Sequence, residues 1–135
     1  MSLWFMDLET TVFSIVKTKV LEKLSTQFPN IYITNSDKIM SMPLFPTVFI
    51  HEMSGAEQGT DIEGKDVNAV LETFQVDITS NVSQRDVKVV MSAVVEVFKQ
   101  MRFNVTAMPE FNNDDDVYRA IARFRRVIGA NDILI

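Results

Sequence analysis

From Asp7 to about Thr26, the apolar residues Leu8, Val12, Ile15, Val16, Val20 and Leu24 recur at intervals of three and four, the spacing that lines one side of an α-helix. Asp7 and Glu9 stand at its start and Lys17, Lys19 and Lys23 toward its end, the ends that the helix dipole favours for each sign. Pro29 and Asn30 stop it, and Ile31, Tyr32 and Ile33 predict a short strand before an Asn35-Ser36-Asp37 turn. A second helix opens at Ser83, where Ser83-Gln84-Arg85-Asp86 matches a capping box. Behind it Val87, Val90, Met91, Val94, Phe98 and Met101 form one stripe opposite Lys88, Ser92, Glu96 and Lys99.

Strands alternate on a period of two. Pro46 to His51 is β-branched and aromatic, a strand that begins on Pro. Over Val70–Thr79, Phe74, Val76 and Ile78 alternate with Thr73, Gln75, Asp77 and Thr79, giving one buried and one polar face. Asn104–Met108 predicts a short strand closed by Pro109. Val117–Ile128 predicts the longest strand, with Tyr118, Ala120, Ala122 and Phe124 on one face and Arg119, Ile121, Arg123 and Arg125 on the other. The turn between them, Phe111–Asp116, is rich in side chains that bond to their own backbone. Between Ser54 and Asp66 lie Gly55, Gly59 and Gly64 with the acids Glu57, Asp61, Glu63 and Asp66, read as a mobile loop at the tip of a long hairpin. The order is helix, three strands, helix, two strands. The expectation is an α+β fold, a mostly antiparallel sheet of about five strands with two amphipathic helices packed on one face.

The 135 residues, 47% of them hydrophobic and 23% charged, suit a single domain over 1–135 with a core that needs no covalent staple. There is no cysteine, which excludes disulfides, thiolate metal sites and cysteine nucleophiles. His51 is the one histidine, so a two-histidine metal site cannot be built within one chain and a Ser-His-Asp triad would rest on a single imidazole. The net charge of −5 opposes nucleic-acid binding unless cations gather on one face, and Arg119, Arg123, Arg125 and Arg126 do gather. No apolar stretch is long enough to cross a bilayer and the N-terminus MSLWFMD has no basic leader, so a soluble intracellular protein without membrane contact is expected.

Four places could carry chemistry. Asp114-Asp115-Asp116, with Glu110, Asn112 and Asn113 nearby, supplies oxygen ligands for calcium or magnesium but lacks the D-x-D-x-D-G spacing and distal Glu, and consecutive acids at a turn are as a rule solvated. His51 beside Glu52 suggests an oriented general base, yet adjacent strand residues point to opposite faces. The arginine strand could bind phosphate or pair with carboxylates such as Glu72 and Asp77 of a neighbouring strand or subunit, and an acidic chain favours pairing. The apolar segment Ile39–Pro46 either packs under its own domain or offers a surface to a partner. No phosphate loop or nucleophile elbow is present; no catalytic residue, cofactor or metal is expected.

The combination PTVFIHE, DIEGKDVNAV, ETFQVDITSN, SQRDVKVVM and MPEFNNDDDVYRAIARFRRVIG resembles the tail terminator (tail completion, or minor capsid) proteins of long-tailed bacteriophages and prophages, over most of the chain from Asn30 to Ile128. The resemblance implies a small α+β virion protein that forms a ring, hexameric in the family, on the tail tube. It would end tube growth and give the head connector or neck protein a docking surface, working in the host cytoplasm during assembly and then in the virion tail. DNA would be passing cargo in the lumen. On this view Arg119, Arg123 and Arg125 meet Glu72 and Asp77 at the subunit interface, and the loop bearing Glu57, Asp61, Glu63 and Asp66 contacts tube or neck. A neck or stopper protein of the same virion, or a ferredoxin-like ligand-binding regulatory domain, are the alternatives.

Overall fold

A computed structural model of the chain describes residues 4–36, 45–60, 67–114 and 117–134. A 3-10 turn, Trp4–Asp7, leads into α1 (Leu8–Leu24); β1 (Tyr32–Thr34), β2 (Thr47–Thr60) and β3 (Val67–Ser80) follow, then α2 (Gln84–Gln100), β4 (Asn104–Asp114) and β5 (Val117–Gly129). The five strands form one sheet in the order β1-β2-β3-β5-β4. β1 runs parallel to β2 and every other pair is antiparallel. Since β3 and β4 are each antiparallel to β5, they run parallel to one another, and α2 is the crossover that spans the inserted β5. The fold is α+β, as expected.

Both helices lie on the same face of the sheet because each has one apolar stripe to bury. In α1 that stripe is Leu8, Val12, Val16, Val20 and Leu24, one residue every four. In α2 it is Val87, Val90, Met91, Val94, Val97 and Phe98. They meet the inward residues of the central strands, Phe74, Val76 and Ile78 of β3 with Ala120, Ala122 and Phe124 of β5, all fully buried. Ala120 and Ala122 leave room for the aromatic rings above them: Phe98 stacks on Phe124 with centroids 4.2 Å apart and meets Phe103 edge-on at 5.2 Å.

The ends of α2 are set by different chemistry. At the start the Ser83 hydroxyl accepts the Asp86 amide N–H at 3.2 Å, the capping interaction read from the sequence. At the end Arg102 takes the left-handed conformation (φ 64°). The Arg102 N–H then bonds the Lys99 carbonyl and the Phe103 N–H bonds the Phe98 carbonyl, a Schellman closure sealed by the Phe98–Phe103 contact. Glycine usually fills that position; here an arginine bears the strain.

Three boundaries differ from the sequence reading. Ser54–Thr60 is not loop but continues β2, pairing with β3 as far as Thr60 opposite Val67, with register shifts between Met53 and Ala56 and around Gly59. β1 ends at Thr34, opposite Phe49, so the rest of β2 is a sheet edge, where bulges are tolerated. β2 and β3 reach 14 residues, and β5 at 13 is therefore not the longest strand. Pro109 does not end β4, which runs on to Asp114. β4 is the outer strand of the sheet and its register slips between Ala107 and Glu110, so the missing N–H of proline costs no ladder bond.

Candidate functional site

The helices leave the opposite sheet face uncovered. β5 presents Arg119, Ile121, Arg123 and Arg125 there, and β3 presents Thr73, Gln75, Asp77 and Thr79, the parity expected from the sequence. Arg119 donates to Asp77 Oδ2 at 3.2 Å. Gln75 donates through Nε2 to Asp77 Oδ1 at 3.0 Å and accepts Arg123 Nε at 2.9 Å. One carboxylate thus serves two guanidinium groups, one directly and one through a glutamine. Arg125 stands opposite Thr73 and Asn104 and has no acidic partner among the described residues. His51 lies on this face too, stacked on Phe49 with centroids 4.8 Å apart, inside β2 rather than at a strand end.

Asp77 is therefore satisfied within its own chain, and Glu72 is not on this face at all. Glu72 shares the inward parity of Phe74 and is only 5% exposed, so it cannot be a carboxylate of the subunit interface. The basic group opposite it in register is Arg126. That guanidinium turns away, donating to the Met101 carbonyl at 3.0 Å and to Asp132 at 3.1 Å. Burial and the nearby Arg102 charge lower its pKa, with Asp132 opposing.

Glu72 faces Glu52 instead, close enough for the two carboxyl groups to interact. Burial first, then the contact with Glu52 and its charge, push Glu72 up to about 8, while its Oε2 has no hydrogen-bond partner. At neutral pH Glu72 therefore keeps its proton. The pair was legible in principle, since Glu72 falls on the inward beat of β3, and it separates Glu52 from His51 across the sheet. With so little of Glu72 open to solvent, the pair bears on stability rather than on a substrate.

On the helix side, an open groove of about 580 Å³ runs between α2 and β4. Met91, Val95, Val105, Met108 and Phe111 line it, with Lys88 and Ser92 on the helix wall. The Lys88 ammonium sits over the Phe111 ring, 5.4 Å from its centre, and Met108 is 74% exposed. The slip in β4 around Pro109 places Met108 there.

Of the other candidates, Asp61, Glu63 and Asp66 and residues 39–44 of the apolar segment lie outside the described residues, as do the side chains of Glu57 and Asp114–Asp116. Glu57 pairs through its backbone with Val70, and Pro46 is buried, its carbonyl accepting the Tyr32 N–H at 2.9 Å. Among the described residues no group of three or more His, Asp or Glu side chains is placed to hold a metal ion, and no helix is long and apolar enough to cross a membrane. The chain matches no family model and no curated protein.

Proposed function

We propose that this chain is a structural subunit of a long-tailed phage or prophage virion, a tail terminator whose copies close into a ring on the end of the tail tube. The observation that carries the reading is the uncovered sheet face with its arginine row. In an acidic chain, among the described residues Arg123 reaches only an amide and Arg125 reaches no acid, which leaves cationic valence for carboxylates of a neighbouring subunit. The motif resemblance from Asn30 to Ile128 supplies the family, and with it the tail-tube protein below the ring, the head connector above it and DNA passing through.

The test is native mass and negative-stain microscopy of the purified chain. The reading expects a closed ring with an open centre, lost in Arg123→Glu while the monomer keeps its fold. A wild-type chain that stays monomeric, or a variant that assembles at wild-type concentration, overturns it. A neck or stopper protein would share this surface; tails of uncontrolled length in lysates lacking the protein assign it to the terminator, and tails of normal length without heads assign it to the stopper. The regulatory-domain alternative is disfavoured by a specific observation: the groove between α2 and β4 has a largely apolar lining without convergent polar groups.

A further inference from the structure

We infer that the groove between α2 and β4 receives the acidic β2–β3 turn of a second copy of this chain. The inference rests on the ring reading but uses a different surface from the arginine face. The helix wall of the groove is basic: Arg85, Lys88 and Lys99 are exposed and fall on one side of α2 with Ser92 and Val95, and none has a carboxylate partner among the described residues. The one acid beside them, Glu96, is taken by Lys23 of α1 at 3.0 Å. The floor is apolar and open to water at Met108. Such a groove fits a segment that brings an apolar side chain between carboxylates.

The chain contains that segment. Asp61-Ile62-Glu63 sets an isoleucine between two acids, with Asp66 close behind, in the six residues between β2 and β3. The turn cannot reach the groove of its own chain. β2 and β3 stay paired up to Thr60 and Val67, and the nearest wall of the groove, Val105, is level with Phe74 through Phe124. From Val67 to Phe74 is about 23 Å along a strand at about 3.3 Å per residue, whereas residues 61–66, leaving and returning to one rung, extend about 10 Å. The occupant is therefore another copy's turn. A tip on one part of the surface and a groove on another make a head-to-tail contact, the kind that closes into a ring when the rotation permits.

The absence of cysteine makes the test clean. Full-length protein carrying Ser92→Cys and Ile62→Cys, mildly oxidised, should give a covalent ladder of oligomers. Either cysteine alone should stop at dimers, and Ser14→Cys with Ile62→Cys should give no ladder. Arg85→Glu with Lys88→Glu should weaken self-association about tenfold or more with unchanged far-ultraviolet circular dichroism, and adding Asp61→Lys and Glu63→Lys should restore it. Wild-type rings with no ladder, or with assembly indifferent to the charge reversal, overturn this contact and leave the ring reading standing. A wild-type chain that never assembles overturns both.

Discussion

The buried acid gives the most quantitative prediction. Glu72 moves from 4.5 to about 8 on folding, so between those values the native state holds a proton that the unfolded chain has released. The unfolded state then binds fewer protons, and unfolding free energy must fall as pH rises. The contribution is complete below about pH 4.5 and is lost as pH passes through about 8. A shift of that size, at 1.36 kcal/mol per unit, sets a ceiling of about 5 kcal/mol. Part of the ceiling is already lost by pH 5, and water admitted by small movements of the exposed Glu52 lowers it further, so a loss of about 2 to 4 kcal/mol between pH 5 and pH 9 is expected. Glu72→Gln keeps the shape, donates to Glu52 through its amide and does not titrate. The assay is urea unfolding at pH 5, 7, 8 and 9 for both proteins at one low concentration. Subtracting the variant profile removes every other titrating group, and the variant should be the more stable protein at pH 9. Parallel profiles would refute the argument, because they would mean that Glu72 is ionised and solvated in the native protein.

Other expectations concern the core and the cap. Phe98→Ala empties the stack on Phe124 and the edge contact to Phe103 and should cost about 3 to 5 kcal/mol in denaturant unfolding; a cost below about 1 would mean that the aromatic cluster does not pack as described. Ser83→Ala removes the bond to the Asp86 amide and should cost about 1 kcal/mol, measured the same way, with Ser83→Asp restoring most of it.

Which features were legible follows from the range of the signal behind each. The start of α2 is written within Ser83–Asp86, and the two faces of β3 and β5 are written in strict alternation, so helix, parity and arginine face could be read directly. The extension of β4 through Pro109 could not, because the penalty for proline applies to inner strands and nothing local says that β4 is outermost. The same holds for Ser54–Thr60, where glycines and acids argue for loop unless one knows that β2 has lost its outer neighbour by then. Arg102 hides the end of α2, since the left-handed position carries no glycine to mark it. The partners of the arginines depended on β5 inserting between β3 and β4. That insertion brings Arg119 beside Asp77, and it sets Arg126 opposite Glu72 on the inner face, away from the site.

Under the ring reading, charge placement says more than composition about how copies would meet. A chain of net −5 should repel its own copies, yet it gathers exposed cations on the open face of β5 and on the outer side of α2, besides those on α1 and at Arg102. Six of its eighteen acids cluster in two short stretches, Asp61, Glu63 and Asp66 between β2 and β3 and Asp114, Asp115 and Asp116 where β4 gives way to β5. A two-fold contact centred on one of the basic patches would bring like charge together across its axis. A head-to-tail contact joins different patches and lets base meet acid without altering the total. For a self-associating chain this separation of charge would favour heterologous association over a symmetric dimer, and such an arrangement should weaken with added salt, because exposed pairs are screened over about 10 Å at 0.1 M.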